Sequence, residues 1–215
     1  IDGMPVHTIV EGKLDDSLPI VFIHGTSASL HTWDTLSSLL KANKKIIRFD
    51  LPAFGLTGPN RLNQYNFNFY NQFIDELLLK LNVTKCIVAG NSLGGSIAWN
   101  YAIASPDKVK QLILLDASGY PKKDEKGSLG FKLAAIPVLN QALKHISPIS
   151  LIRKSLEDAF YDKSLVTEQM VQQYHDMLLR EGNRAALLEL FQHTTIFYLL
   201  MHHLKTIHKS SKNHH

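Results

Sequence analysis

The sequence predicts an α/β protein, a doubly wound and mostly parallel sheet followed by a helical segment. In the first 119 residues, short apolar runs alternate with helical patterns, which is typical of right-handed strand–helix–strand units. Residues 120–192 contain helical patterns and no convincing strand. This change of pattern separates a predicted core at 1–119 from a predicted helical cap at 120–192. Residues 193–215 form a tail of different composition.

Four near-continuous apolar runs predict parallel strands covered on both faces. They lie at 19–25, 44–52, 85–92 and 110–118. Residues 6–10 alternate between polar and apolar side chains, which favours an edge strand.

Between the strands, apolar residues at helical spacing predict amphipathic helices. In the segment 30–41 the residues predicted to share one face are Leu30, Trp33, Leu36, Leu39 and Leu40. In the segment 70–83 they are Phe73, Leu77 and Leu81, with Ile74 and Leu78 beside them. A third helix, opened by Gly95 and Ser96, is predicted to end at Pro106.

The region after residue 119 has helical candidates at 130–143, 149–161 and 167–181. Gly182 is a natural stop for the third of these helices, and Asn183 is predicted to cap a further helix. An insertion of about 70 residues is too long for a simple connection between strands, so we expect a separate helical layer.

Composition excludes several classes of protein. The chain has 215 residues, 45% of them hydrophobic, which suits one domain with a sizeable core. The single cysteine, Cys86, lies in an apolar run and cannot form an internal disulfide. The net charge is +4, but residues 1–192 carry 20 basic and 19 acidic groups because Lys205, Lys209 and Lys212 lie in the tail. We therefore predict no nucleic-acid partner.

Targeting signals are absent from the sequence as it stands. No apolar run approaches the roughly 18 residues needed to span a membrane, and no segment directs export. The chain opens at Ile1 in a segment that reads as a strand, so the compartment is left open. Oligomeric state is not indicated by any pattern.

The motif Gly90-Asn91-Ser92-Leu93-Gly94 carries the chemistry. It lies between a predicted strand and a predicted helix, where a tight turn raises the serine hydroxyl above the sheet. Glycine is needed two residues to either side because larger side chains would collide. The following helix presents its amino terminus to a developing oxyanion. A phosphate-binding loop would need a lysine after its glycines, and none is present.

Four motifs together resemble the α/β-hydrolase family, over roughly residues 2–192. They are "FIHGTSASLHTWD", "IIRFDLPAFGLTGP", "VAGNSLGGSIAW" and "LILLDASG". The resemblance is to the helical-capped subgroup, which includes esterases and meta-cleavage-product hydrolases. A serine at position 92 argues against the branches that use an aspartate there, namely dehalogenases and epoxide hydrolases.

The resemblance implies acyl transfer through a serine ester with neither cofactor nor metal. Ser92 would be the nucleophile, and the oxyanion donors would be the backbone N–H groups of Leu93 and of the Gly25–Thr26 loop. His24 would shape that loop, and Asp50 would fix the next one. Ala53 replaces a glycine that is usual in the family.

The resemblance also implies an acid and then a histidine after two further strands, and no such strands follow. Asp116 is an alternative acid, and the catalytic histidine is unknown. Six of the eleven histidines lie in residues 193–215, which contain no acid. We hypothesise that the family sequence ends at about His193, so that the last two strands of the fold are missing. Two other readings of these histidines are metal ligands or a base.

Two functions are therefore expected from the sequence. The first is a serine hydrolase acting on a small-molecule ester or related carbonyl compound. The cap residues would shape an apolar pocket over Ser92. Candidates for its lining are Phe131, Leu133, Ile136, Leu139 and Phe160, although packing between cap helices explains them equally well. The second is a catalytically inactive α/β-hydrolase-like protein that binds a small ligand.

Overall fold

The computed structural model describes residues 1, 3–119 and 146–191. Its strands are β1 (Thr8–Gly12), β2 (Ile20–Ile23), β3 (Lys45–Phe49), β4 (Cys86–Asn91) and β5 (Val109–Leu115). Its α-helices are α1 (Asp34–Leu40), α2 (Phe67–Lys80), α3 (Leu93–Ala104), α4 (Ile149–Ala159), α5 (Glu168–Leu179) and α6 (183–191). Short 3₁₀ helices cover Leu30–Trp33 and Lys163–Leu165.

The five strands form one mixed, mostly parallel sheet with the order β1-β3-β2-β4-β5. β1 runs antiparallel to β3 at one edge, and the other pairs are parallel. This confirms the predicted fold class, including the edge strand near residues 6–10. His24, Asp50, Ser92 and Asp116 directly follow β2, β3, β4 and β5 respectively. All four therefore lie at the carboxyl edge of the sheet, where ligands of open α/β sheets bind.

Two apolar clusters cover the sheet on its two faces. The larger one packs α2 and α3 against residues such as Val21, Ile47 and Val88. The smaller one packs Trp33 against Phe22 and its neighbours on the opposite face. β2, β3 and β4 thus have the two-sided burial that the sequence predicted, whereas the prediction is wrong for β5, whose side chains are mostly exposed. The predicted face of α2 is also confirmed, since Phe73, Ile74, Leu77 and Leu78 are all buried.

The predicted helix at 30–41 is only partly correct. The chain first forms the 3₁₀ helix Leu30–Trp33 and then turns into α1. Leu30 and Trp33 are buried, but Leu36 and Leu39 face solvent with 40% and 69% exposure. A 3₁₀ turn has about three residues per turn rather than 3.6, so it rotates the following residues away from the predicted face. Ser37 is buried in their place and donates a hydrogen bond to Glu11.

Helices α4, α5 and α6 occupy the region where the helical cap was predicted. Thr167 caps α5, because its hydroxyl accepts a hydrogen bond from the Met170 N–H at 3.2 Å. Gly182 follows α5 with φ +84°, a conformation that favours glycine. The candidate helix at 130–143 and the tail from 193 lie outside the described residues. In the part of the chain that is described, no helix is long and apolar enough to cross a membrane.

The prediction that Asn183 caps α6 is wrong. The Gly182 carbonyl accepts the Ala186 N–H, so α6 already includes Asn183. The Asn183 side chain instead donates to the carbonyl oxygens of Gly55 at 2.9 Å and Met177 at 2.7 Å. It therefore ties the start of α6 to the end of α5 and to the loop after β3.

Candidate active site

Ser92 is the single residue between β4 and α3, and its backbone is in a strained conformation. Its φ of 51° and ψ of −117° are costly for a residue with a β-carbon. Backbone hydrogen bonds hold it there, because its N–H donates to the Leu115 carbonyl at 3.0 Å. Its own carbonyl accepts from the N–H groups of Ser96 at 3.1 Å and Ser118 at 3.0 Å. The turn is thus fixed by both α3 and the segment after β5.

The glycines around Ser92 are sterically required, as the motif predicted. A β-carbon on Gly90 would lie 2.2 Å from the Gly94 carbonyl oxygen. A β-carbon on Gly94 would lie 2.2 Å from the Ile23 carbonyl oxygen. Both clashes are with backbone that cannot move away freely, so only glycine allows this close packing of β4, α3 and β2.

The loop after β2 lies directly beside Ser92. A β-carbon on Gly25 would lie 3.2 Å from the β-carbon of Ser92. The Ala28 N–H donates to the Gly25 carbonyl at 3.3 Å and closes a turn that contains Thr26. Leu93 is the first residue of α3, where backbone N–H groups have no partner within the helix. Leu93 and the Gly25–Thr26 loop therefore flank Ser92, and their role as oxyanion donors stays a prediction.

His24 is fully buried, and both of its ring nitrogens are engaged with backbone. The Leu51 N–H donates to its Nε2 at 2.9 Å, so Nδ1 carries the proton and donates to the Gly25 carbonyl at 2.8 Å. Burial lowers the pKa of this imidazole, while Asp50 acts in the opposite direction. His24 is therefore neutral and shapes the Gly25 loop, which is the role that the sequence predicted for it.

Asp50 is a buried carboxylate with three donors. Its Oδ1 accepts the Leu30 N–H at 2.7 Å, and its Oδ2 accepts the Leu56 N–H at 2.8 Å and His7 Nδ1 at 2.7 Å. It joins the loops after β2 and β3, which confirms the predicted structural role. His7 was missed by sequence reasoning because it precedes a weak edge strand and belongs to no motif.

Ala53 stands at φ +86°, in the region that favours glycine. An alanine in this conformation is strained, so replacing the glycine that is usual in the family carries an energetic cost. Its N–H donates to the Gly58 carbonyl at 2.7 Å, which closes the loop after β3.

Ser118 is a second residue that sequence reasoning missed. Its Oγ lies 3.5 Å from the Oγ of Ser92, and its carbonyl accepts from Trp99 Nε1 at 3.4 Å. A pocket of about 310 Å³ adjoins it, lined by Trp99, Leu114, Ala117, Ser118 and Gly119. The motif "DASG" after an apolar strand contains this serine, but nothing in its spacing indicates contact with Ser92.

The alternative acid, Asp116, directly follows β5 and is exposed, with φ +47°. The structure does not bring a described histidine to Ser92. His7, His24, His31 and His175 are hydrogen-bonded to Asp50, backbone, Asp34 and the Ser147 carbonyl respectively. The other seven histidines lie outside the described residues. The acid and the base thus stay open.

Metal and thiol chemistry gain no support from the described residues. No group of three or more histidine, cysteine or acidic side chains there is arranged to hold a metal ion. Burial raises the pKa of the Cys86 thiol to about 11, so it stays protonated in the core. Four of the five predicted pocket residues, at 131–139, lie outside the described residues, and Phe160 is half-buried at the end of α4.

Known structures share this fold. Cfl2 from Burkholderia cenocepacia has a TM-score of 0.79 and 21% identity, covering 96% of this chain and 73% of that one. The meta-cleavage product hydrolase CumD from Pseudomonas fluorescens IP01 has a TM-score of 0.72 and 21% identity, covering 88% of this chain and 65% of that one. The epoxide hydrolase CorEH has a TM-score of 0.75 at 20% identity, covering 89% and 70%.

Curated proteins with similar sequences include a hydrolase and an acyltransferase. The uncharacterized hydrolase YugF of Bacillus subtilis is 28% identical over 72% of this chain and 56% of its own length. The human 1-acylglycerol-3-phosphate O-acyltransferase ABHD5 is 31% identical over 66% of this chain and 42% of its own length. The chain thus spans about half the length of the curated relatives it matches.

Residues 19–136, more than half of the chain, match the family described as alpha/beta hydrolase fold. The chain therefore belongs to the alpha/beta hydrolase fold family, a hydrolase lineage.

Proposed function

We propose that Ser92 is the nucleophile of a serine-dependent hydrolase or acyltransferase that acts on an ester or related carbonyl compound. The observation that supports this most directly is the strained Ser92 at the amino terminus of α3. Strain of this kind persists only where the surrounding structure enforces it, and it is concentrated at functional sites. In a strand–turn–helix setting with glycines two residues away, it is the geometry of an exposed nucleophilic serine.

The reaction proceeds in two steps. In the first, Ser92 Oγ attacks the carbonyl carbon, its proton passes to a base, and the alcohol leaves with a proton as an acyl-serine ester forms. In the second, water or another alcohol attacks this ester and releases the acyl group, and Ser92 regains its proton. The negative charge on the carbonyl oxygen is stabilised in both steps by N–H groups from Leu93 and the Thr26 loop.

The names of two relatives support acyl chemistry. ABHD5 is named as an O-acyltransferase acting on 1-acylglycerol-3-phosphate, and a human relative 26% identical is named (lyso)-N-acylphosphatidylethanolamine lipase. Epoxide hydrolase 3 of Xenopus tropicalis, 24% identical, is named for a different bond. The serine at position 92 favours the acyl reaction, because a serine nucleophile suits ester formation and hydrolysis.

A fluorophosphonate probe tests this proposal, because it phosphonylates an activated serine. The folded chain is incubated with the probe, and the labelled peptide is identified by mass spectrometry. We expect one label on Ser92 that is lost in Ser92→Ala and after heat denaturation. Ser38→Ala is the matched control, since Ser38 is an exposed serine on α1. Folded protein that takes up no label, or label that persists in Ser92→Ala, contradicts the proposal.

A second candidate is a non-catalytic member of the family that binds a small ligand. It is favoured by the hydrogen bonds of the four described histidines, none of which goes to Ser92. Without a base, an oxyanion site and binding leave only a small residual rate. Absence of labelling in a protein that still binds a neutral ester would select this candidate over the first.

A further inference from the structure

We propose that Asn183, at the start of α6, is a positioning residue for the loop of residues 25–29, which contains the proposed oxyanion donor Thr26. This inference rests on the proposed function of Ser92. It goes beyond that function by assigning to a buried amide in the helical region an influence on the rate at which the serine reacts.

The Asn183 side chain is held in one orientation by its two donor bonds. Its Nδ2 donates to the carbonyl oxygens of Gly55 at 2.9 Å and Met177 at 2.7 Å. The reversed amide would direct Oδ1 at the same two carbonyl oxygens, which cannot donate to it. Asn183 is 2% exposed, and its Oδ1 accepts no hydrogen bond from the residues that the structure describes. The amide N–H groups therefore attach α6 to the loop after β3.

Gly55 carries this attachment to the far end of loop 25–29. It lies so close to Asp50 that a β-carbon at Gly55 would overlap with the carboxylate. The next residue, Leu56, donates its N–H to Asp50 Oδ2 at 2.8 Å, and Asp50 Oδ1 accepts the Leu30 N–H at 2.7 Å. Leu30 directly follows loop 25–29. One carboxylate thus joins the end of this loop to the segment that Asn183 holds.

A second contact reaches the beginning of loop 25–29. Phe54, next to Gly55, packs edge-on against the His24 imidazole, with ring centroids 5.7 Å apart. His24 Nδ1 in turn donates to the Gly25 carbonyl at 2.8 Å. The segment bound by Asn183 therefore contacts the groups that fix both ends of loop 25–29, so a shift of this segment displaces the loop.

The middle of loop 25–29 also meets the helical region directly. Ser27 and Ala28 line a cavity of about 10 Å³ together with Asn183 and with residues of α5 and of the loop after β3. This volume is about the space that one water molecule needs. Interiors packed this closely transmit a displacement rather than absorb it. The position of Thr26, the residue before Ser27, therefore depends on Asn183.

Glycines let the corner between α5 and α6 approach the loop after β3. Gly182 has φ +84°, and a β-carbon there would lie 2.7 Å from Pro59 Cγ. On the facing surface, a β-carbon on Gly58 would overlap with the Arg180 guanidinium. Only glycine allows this approach on both sides, and the approach brings the Asn183 amide within reach of the Gly55 carbonyl.

The kinetics of fluorophosphonate labelling separate positioning from stability. The labelled fraction counts folded molecules, whereas the rate constant measures the reactivity of Ser92 in each of them. We expect Asn183→Ala to lower the rate constant at saturating probe about ten-fold, because a misplacement of about 1 Å can cost about a hundred-fold. The probe concentration that gives half the maximal rate should stay unchanged. A merely structural role would lower the labelled fraction alone.

Two further variants frame this result. Thr167→Ala is the matched control, because it also removes one hydrogen bond from α5, at the opposite end of that helix. We expect its rate constant to equal that of the unaltered chain. Gly182→Ala leaves the Asn183 side chain intact but directs a methyl group at Pro59. Gly182 is exposed, so this variant should fold and should label more slowly, as Asn183→Ala does.

Hydrogen exchange measures the same coupling without any reaction at Ser92. Mass spectrometry of proteolytic peptides follows the N–H groups of Leu30 and Leu56, which both donate to Asp50. Asn183→Ala should speed their exchange about ten-fold relative to the amides of α2, because it leaves two buried carbonyl groups without a donor. Thr167→Ala should leave this ratio unchanged.

Unchanged labelling kinetics in Asn183→Ala overturn the inference, even where exchange at Leu30 and Leu56 is faster. Equal slowing in Thr167→Ala and Asn183→Ala overturns it as well. An unaltered chain that takes up no label rejects the proposed function, and hydrogen exchange then decides the positioning separately. Faster exchange in Asn183→Ala keeps Asn183 as the residue that holds loop 25–29, and unchanged exchange rejects that role too.

Discussion

Gly94 packs so closely on Ile23 that a β-carbon at Gly94 would lie 2.2 Å from the Ile23 carbonyl oxygen and 2.4 Å from that of His24. This contact joins α3, which follows Ser92, to the end of β2, which leads into the Gly25–Thr26 loop. The two segments that flank Ser92 are therefore placed relative to each other by one glycine.

Gly94→Ala should destabilise the fold by about 3 kcal/mol, because the methyl group meets backbone atoms that cannot move without separating α3 from β2. Urea unfolding followed by circular dichroism measures the change. Gly25→Ala is the comparison, since its β-carbon would meet the Asn91 side chain at 3.0 Å and the Ser92 β-carbon at 3.2 Å. We expect a smaller loss of stability there, and equal losses in the two variants would contradict the steric argument.

Asp50→Ala should cost about 3 kcal/mol of folding free energy, because it leaves the N–H groups of Leu30 and Leu56 without their buried acceptor. Thermal and urea denaturation measure this loss. Asp158→Ala is the control, as Asp158 forms an exposed ion pair with Lys154 within α4. Exposed pairs of this kind contribute well under about 1 kcal/mol. A loss for Asp50→Ala as small as that of the control would show that water replaces the carboxylate.

Stability should fall as the pH decreases below about 6.5, because the pKa of His24 is lowered by burial in the folded protein. The unfolded chain then binds a proton that the folded chain does not, so acid favours unfolding. The slope for one group is at most about 1.4 kcal/mol per pH unit. Urea midpoints between pH 5 and 6.5 measure it, above the range where carboxylates titrate. A His24→Gln variant should lose this part of the slope, and an unchanged slope would assign it to another group.

β5 should promote self-association of the chain. Leu112, Ile113, Leu114 and Leu115 are between 38% and 45% exposed, and among the described strands β5 pairs with β4 alone. An exposed apolar edge of this kind is a template for pairing with another chain. Ile113→Lys should therefore shift the sedimentation profile towards monomer. Leu79→Lys is the control, because Leu79 is an isolated exposed leucine on α2. A chain that is already monomeric at high concentration would contradict this prediction.

The sequence was sufficient for features that depend on local pattern. Four apolar runs and one alternating segment located the five strands. The spacing of Phe73 and Leu77 identified the buried face of α2, because burial on one side leaves a periodic pattern. Ser92 was located by glycines whose steric role is visible from spacing alone. The faces of Leu36 and Leu39 were misassigned because a 3₁₀ turn changes the angular phase without changing the residue types.

Contacts across the fold could not be predicted from the chain. His7 and Asp50 are 43 residues apart, and Ser92 and Ser118 are 26 apart. Neither pair belongs to a common motif. His7 meets Asp50 because β1 begins where the antiparallel β3 ends, and Ser92 meets Ser118 because the parallel β4 and β5 end at the same edge of the sheet. Asn183 has the residue type of a helix cap, but the Gly55 carbonyl attracts its amide instead. Such tertiary competition leaves no local signal.

The strained backbone of Ser92 has a consequence for how the protein matures. The bonds that hold it come from Leu115 and Ser118, which are synthesised later, and the loops beside it depend on Asp50, which is synthesised earlier. Contacts between distant parts of a chain form slowly because loop closure precedes them. On a nascent or partly folded chain, residue 92 is free to relax to the ordinary geometry of a surface serine. The strained geometry of Ser92 therefore forms only after β5 has paired with β4, and labelling of the proposed nucleophile would report on successful folding.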